Sequence, residues 1–246
     1  MNDAVSRETP SAPDLARRVF SHALPRAEAY AGLLAHEAVV RGLIGPREVP
    51  RLWERHLVNC ALLGEAVPPD VDVCDVGTGA GLPGLVLAIV RPDLSLTLVE
   101  PLLRRTTFLE EAVAELGLQN VEVVRARAEE LHGIRAFSVV TSRAVAPLER
   151  LLDWSMPLVR SGGALVAMKG SSASDEVAAA EQCLRRHGAG VVRVEQYGVD
   201  LIDPPTTVVR VEATRSARLG LASPPGGAAP GAHGRGGKQR RKGPKR

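Results

Sequence analysis

The stretch Val71-Asp72-Val73-Cys74-Asp75-Val76-Gly77-Thr78-Gly79-Ala80-Gly81-Leu82-Pro83-Gly84 places a carboxylate, Asp75, directly before glycines at every second position. Glycine lacks Cβ and tolerates positive φ, so backbone here can approach a ligand closely. An acid before the first glycine suits a ligand carrying an ammonium group, not a pyrophosphate. Gly79 to Gly84 also satisfies G-x-G-x-x-G, but that dinucleotide pattern alone is unspecific. The fuller Asp75-x-Gly77-x-Gly79-x-Gly81 fits S-adenosyl-L-methionine, whose methionine part carries an α-amino group. Such a ligand calls for a second acid at the end of the next strand, to hold ribose hydroxyls. Glu100, closing Leu94-Ser95-Leu96-Thr97-Leu98-Val99, stands where it is needed. The plain alternative is a Gly-rich turn in a structural βα unit; the agreement of turn, following helix and second acid argues against it.

These residues need a strand–turn–helix frame, and the chain supplies one repeatedly. An apolar valine-rich run leads into the glycines and a leucine/alanine run follows them. Further strands are expected over 95–100, 121–125, 136–141, 163–168, 191–196 and 206–212, with helices over 102–116, from Pro147 to about Trp154, and over 174–187. Ser161-Gly162-Gly163 reads as the turn before the fifth strand. Alternating strand and helix predicts an α/β fold, Rossmann-like, with a seven-stranded mostly parallel sheet whose last two strands form an antiparallel hairpin. Before it, residues 14–70 read as a helical cap on the sheet: Asp14 capping a short helix to about Ser21, a helix from Pro25 to Gly42, and another from Arg47 to Gly64. The cap and the 71–213 core are expected to form one domain. Residues 1–13, polar and with Pro10 and Pro13, and 214–246, rich in Gly, Pro, Ala, Lys and Arg, are expected to be disordered.

At 246 residues the chain can bury one sizeable core. No apolar run approaches a membrane span and the N-terminus lacks signal-peptide character, which predicts a cytoplasmic protein. Cys60, Cys74 and Cys183 are odd in number and in no metal-type spacing, so neither disulfides nor a metal is expected. The net charge of +3 hides a division: from Leu221 to Arg246 there are seven bases and no acid, while the other 220 residues carry 24 bases against 28 acids. Polyanion binding by the body must therefore come from a local patch.

Arg55-His56-Leu57, Asp75-Val76-Gly77-Thr78-Gly79-Ala80-Gly81-Leu82-Pro83-Gly84, Arg127-Ala128-Glu129, Thr141-Ser142-Arg143-Ala144 and Met168-Lys169-Gly170 occur in one order and spacing. Together they resemble the bacterial ribosomal RNA small-subunit methyltransferase G family, also called glucose-inhibited division protein B, over about residues 25 to 213. The resemblance implies methyl transfer from S-adenosyl-L-methionine to N7 of one guanine in 16S ribosomal RNA, guanine 527, in the small ribosomal subunit. It places cofactor contacts on Gly77, Leu82, Ala128, Glu129 and Arg143; the pattern above adds Asp75, Thr78, Gly79, Gly81 and Glu100. Two departures stand out. Ala80 occupies a position where many relatives have proline, and Pro204-Pro205-Thr206-Thr207 replaces a basic residue before the last strand, so one RNA contact is missing or taken over by Arg210.

Guanine N7 has a lone pair and no proton, so its attack on a methyl group needs alignment, not a general base. A site for it should be lined with bases. Arg127, Arg143 and Lys169 follow strands three, four and five, and His56 arrives from the cap; these four are the candidate RNA contacts, with Arg143 and His56 as the positioning pair at the reaction centre. His56 has a second reading, as a buried helix residue bonded to a backbone carbonyl. Exocyclic-amine methylation uses an Asn/Asp-Pro-Pro-aromatic loop after strand four, where Thr141-Ser142-Arg143-Ala144 stands instead; cytosine carbon-5 methylation needs a cysteine there. Aromatics at 3% leave RNA recognition to shape and phosphate, and the tail to an auxiliary role. A monomer is expected. The rivals are a methyltransferase of the same fold with another acceptor, a nicotinamide-dependent oxidoreductase, opposed by Asp75 and Pro83, and a non-catalytic RNA-binding assembly factor.

Overall fold

The computed structural model describes residues 9–143 and 146–214. Residues 1–8, Ala144 and nearly all of the basic tail lie outside the described residues, and with them the expectations placed there. Seven strands form one sheet: β1 (Asp72–Val76), β2 (Ser95–Val99), β3 (Val121–Val124), β4 (Phe137–Arg143), β5 (Val159–Lys169), β6 (Ala189–Tyr197) and β7 (Thr206–Ala213). Their order is β3-β2-β1-β4-β5-β7-β6. β7 runs antiparallel to both β5 and β6, and every other pairing is parallel. The expected sheet and its terminal hairpin are both present. The order reverses between β1 and β4, which opens a crevice at the carboxyl ends of these strands.

Apolar runs in β1, β2 and β4 are buried on both faces because helices cover both. On one face α4 (Gly84–Val90) and α5 (Leu103–Glu115) share a core with the N-terminal segment, where Phe20, Tyr30, Leu34, Leu52 and Leu57 are buried beside Leu85 and Leu98. On the other lie α6 (Leu148–Ser155), α7 (Ala173–Ala179) and α8 (Glu181–Arg186), with Leu151, Leu152 and Leu184 in a second core. No helix among the described residues is long and apolar enough to cross a membrane.

The structure departs from the sequence reading in its details. The N-terminal segment starts as α1 (Asp14–Phe20) and α2 (Leu24–Leu33), but Asp14 sits inside the first turn, with Pro13 at the cap position. The helix expected from Arg47 to Gly64 is a series: a 3₁₀ stretch (Pro46–Arg51), a π-helical stretch (Leu52–Val58), α3 (Asn59–Leu62) and a further 3₁₀ turn (Leu63–Ala66). Residues 9–13 do not stand apart from the cap. The Pro10 carbonyl accepts a 2.7 Å hydrogen bond from the Trp53 indole, and Ala12 is buried; a buried indole N–H needs a partner. Ser161-Gly162-Gly163 is an irregularity within β5, not a turn before it. The β4–β5 register shifts there, Gly162 takes φ +81°, and a Cβ on Gly163 would strike the Ser138 carbonyl. The helix expected over 174–187 breaks at Ala180 into α7 and α8.

Candidate active site

β1 ends in the glycine loop, which is pinned to β2: Gly77 N–H and Thr78 N–H both donate to the Val99 carbonyl, at 2.9 and 3.3 Å. Gly79 has φ +62°, and a Cβ built on it would meet only the Gly77 carbonyl, at 3.9 Å. This position opens into free space, and its N–H donates to Glu100 Oε2 at 3.2 Å. Gly81 is glycine for another reason. With φ +97°, a Cβ there would strike Leu85 and come within 2.9 Å of the Tyr30 hydroxyl. That hydroxyl donates to the Ala80 carbonyl at 2.7 Å, both groups buried, so the cap props the loop from beneath.

A cleft of about 860 Å³ lies over the loop at the carboxyl ends of β1, β2 and β3. Gly77, Thr78, Gly79, Leu82, Glu100, Ala128, Glu129, Arg127 and Arg143 all line it, as does His56. Asp75 and Gly81 stand behind these residues, in the turn that carries them. Asp75 is fully buried under the loop, its Oδ2 accepting the Gly84 N–H at 2.8 Å while Oδ1 has no partner among the described residues. Burial pushes its carboxyl up to about 6, against the opposing pull of the Thr78 hydroxyl, the Gly84 N–H and Arg143. Asp75 thus holds the far end of the loop through the Gly84 N–H. Glu100 is also almost fully buried, its oxygens accepting from Gly79 N–H, from Leu102 N–H at 3.1 Å and from Arg105 at 3.2 Å. The loop's open backbone, the apolar Leu82 and Val99, and a carboxylate at the end of β2 suit a nucleoside carrying a charged amino acid.

A second cavity of about 760 Å³ adjoins the cleft over β4, β5 and the β6–β7 hairpin. Arg143, His56 and Arg55 line both and form a neck between them. Arg143, the last residue of β4, donates from Nη2 to His56 Nδ1 at 2.7 Å, and from Nη1 to the Arg55 carbonyl at 3.5 Å and Cys60 Sγ at 3.6 Å. His56 is buried, and its other ring nitrogen donates to Glu48 Oε2 at 2.9 Å. Its partners are thus side chains, not the backbone carbonyl of the second reading. Burial and Arg143 hold the imidazole below its ordinary value, opposed by Glu48.

Neither of the other candidate bases sits at the neck as a free cation. Arg127 is exposed at the cleft rim. Lys169 is buried in the second cavity's wall, where its Nζ donates to the Ala146 carbonyl at 2.8 Å and to Glu176 Oε2 at 2.7 Å. In the free protein its charge joins the end of β5 to α7. Arg210, the suggested substitute, is held likewise by Glu195 Oε2 at 3.1 Å and by the Ala66 carbonyl.

Residues 23–200 match the family model described as rRNA small subunit methyltransferase G. The chain is 61% identical to the ribosomal RNA small subunit methyltransferase G of Nocardioides sp., over 99% of this chain and 95% of the relative. The chain belongs to this family. The methyltransferase of the same name from Thermobifida fusca is 54% identical over 86% of this chain and 90% of its own. Among solved structures, M. jannaschii TYW2 in complex with AdoMet superposes with a TM-score of 0.52 at 13% identity, covering 65% of this chain and 77% of that one. This last likeness speaks for the fold alone.

In this methyltransferase-family site, sequence reasoning missed Tyr30, Glu48, and the Arg150–Trp154 pair, which lines the cleft with the guanidinium 4.7 Å from the ring centroid. The i, i+4 spacing on α6 was a usable signal for the last; nothing local marked Tyr30 or Glu48. Folding also gathers Asp153, Cys183 and His187, whose ligand-type atoms lie within 4.8 Å of one another. There the Asp153 carboxylate accepts from His187 Nε2 at 2.6 Å and Arg186 Nη2 at 2.8 Å, which ties α6 to α8.

Proposed function

We propose that the protein transfers a methyl group from S-adenosyl-L-methionine to N7 of a guanine in 16S ribosomal RNA, the guanine at position 527 by the resemblance of its motifs. The observation that carries this reading is the neck. Two cavities meet at Arg143 and His56, and among the described residues no side chain between them is poised to take a proton: both ring nitrogens of His56 are engaged, one by Arg143 and one by Glu48. Such a site suits an acceptor nitrogen that already has its lone pair exposed.

Gly77, Thr78, Gly79, Leu82, Glu100, Ala128 and Glu129 would hold the cofactor in the larger cleft, with Glu100 facing the ribose hydroxyls. Bound there, S-adenosyl-L-methionine supplies a methyl group on a positively charged sulfur. The acceptor base, taken out of its stack, enters through the second cavity so that the neck lies between donor and acceptor. Arg143 orients the base and excludes water, and His56 holds Arg143 in place. Arg127 at the rim, and the bases of the C-terminal tail, hold RNA phosphates. The substrate class is the small ribosomal subunit or its RNA.

Labelled cofactor incubated with small-subunit particles lacking the modification, followed by mapping of the labelled nucleotide, tests the assignment. The expected product is one 7-methylguanine in 16S RNA. Label on another base, on a ribosomal protein, or on neither, overturns it.

A further inference from the structure

Arg143 reaches the neck from the end of β4, but its placement is set by a residue two contacts away. The guanidinium can only donate, so the His56 Nδ1 that it meets at 2.7 Å must carry a lone pair. At neutral pH that puts the ring proton on Nε2, which donates to Glu48 Oε2 at 2.9 Å. Every proton in the chain Glu48–His56–Arg143 is then assigned. The His56 side chain is 11% exposed, so a ring that lost one of these partners would find little water to replace it.

We propose that Glu48 is a positioning residue for methyl transfer: by accepting the Nε2–H of His56 it fixes the ring so that Nδ1 receives Arg143 at the neck. This rests on the proposed methyl-transfer reading of the same site. Glu48 also has Arg55 within reach, Nε to Oε2 at 3.7 Å, but that side chain is 59% exposed and the longer pair sets no geometry.

The groups around His56 give the device a pH dependence. From the same turn and helix come Glu48, Arg51 and Arg55; from β4 comes Arg143; from α3 comes Cys60, whose thiol burial raises to about 11 and so keeps neutral. Burial and the guanidinium hold His56 below its ordinary value, and Glu48 draws it back up. Protonation would set an Nδ1–H against the Arg143 donors, and the guanidinium would leave the neck. Methyl transfer should therefore show an acid limb below the ordinary histidine range, with activity lost as pH falls.

Glu48→Ala removes the anchor, and Glu48→Gln keeps an acceptor oxygen without the charge. In the intact protein acting on small-subunit particles, kcat should fall about tenfold in Glu48→Ala, as loss of a partner that orients a histidine does elsewhere. It should stay within about threefold in Glu48→Gln, whose acid limb moves to lower pH because the uncharged amide no longer favours the imidazolium. Cofactor affinity by calorimetry should change less than about threefold in both. Nitrogen-15 spectra of the free protein should show His56 protonated on Nε2 and bare on Nδ1, with the Nε2 proton protected from exchange in the parent and Glu48→Gln and not in Glu48→Ala.

A parent His56 protonated on Nδ1 overturns the proposal, as does a Glu48→Ala variant with parental kcat. A large loss of cofactor affinity in Glu48→Ala with kcat intact also overturns it, making Glu48 a direct ligand contact. Particles that the parent leaves unmethylated would sink the functional reading, while the nitrogen spectra would still test the Glu48–His56–Arg143 chain.

Discussion

The glycine loop and the neck sit side by side over the same sheet, yet they are assembled over different distances along the chain. Asp75 and Gly84, nine residues apart, meet under the loop, and Glu100 closes it from 21 residues away. The neck joins Arg143 to His56 across 87 residues, and a 50-residue span brings Tyr30 beneath Ala80. In the loop, backbone N–H groups supply most of the contacts, and glycines clear the space. At the neck three side chains hold one another. A loop made of backbone is disturbed by a side chain added at Gly79 or Gly81, where φ is positive, whereas a neck made of side chains can be dismantled one partner at a time with the sheet left standing.

The sharpest way to break the comparison is Gly79→Val. Gly79 needs φ +62°, which a β-branched residue adopts only under strain, and the new side chain points into the cleft. Cofactor affinity should fall on the order of a thousandfold. Calorimetry that finds the variant within threefold of the parent would show that the loop is not the cofactor's seat.

Arg143→Ala should act on the other side of the comparison. Methyl transfer with both substrates saturating should fall on the order of a hundredfold, the usual cost of a lost positioned donor. The sheet should stay folded, since the Arg143 side chain contributes no strand pairing. Parental activity in this variant would reduce the neck to a surface feature.

How much of this could be read beforehand follows the same division. The loop was legible because its signature is local: alternate glycines after an acid, with Glu100 one strand later. Even there spacing did not reveal that Asp75 holds the Gly84 N–H or that Gly81 makes room for Leu85 and Tyr30. Spacing records that a position needs glycine or acid but not which neighbour demands it. Lys169 is a similar case: a base at a strand end looks free until α7 brings Glu176 to it. Tyr30 had no local mark, because its partner lies on a loop that only folding brings near, and Glu48 had none because the tight turn through Pro46–Arg51 sets it against His56, eight residues on. The π-helical stretch over Leu52–Val58 was equally hidden, its apolar spacing being compatible with an ordinary α-helix.

Asp75→Asn tests whether Asp75 truly lies under the loop. Burial holds its carboxyl at about 6 in the folded protein, above the 3.8 of an ordinary aspartate. The folded state therefore binds this proton more tightly than the unfolded chain does. The group favours folding most below about pH 4, and that contribution is lost as pH rises to 6, with no further change above. His56 titrates in the opposite sense, since its value is lowered, but it is present in both proteins and cancels in the difference. Between pH 4 and 7 the stability of Asp75→Asn relative to the parent should rise by roughly 2 kcal/mol, measured by urea unfolding of the free protein. Parallel profiles would mean a hydrated carboxylate, and Asp75 would return to the ligand side of the cleft.

The smallest effect separates two bases that look alike in the sequence. Arg127 stands exposed at the cleft rim, so Arg127→Ala should remove at most one phosphate contact. The log–log salt dependence of RNA binding should flatten by roughly 0.7 to 0.9, with stability changed by less than about 0.5 kcal/mol. Lys169→Met should leave that slope where it was, because the ammonium is already bound to the Ala146 carbonyl and to Glu176. Its cost should appear in the thermal midpoint, through a Glu176 carboxylate left without its cation. Binding titrations across a salt series on both variants decide the matter. Equal slopes for Arg127→Ala and the parent would take RNA off this rim, and a flattened slope for Lys169→Met would mean that the second cavity opens and presents its lysine to phosphate when RNA arrives.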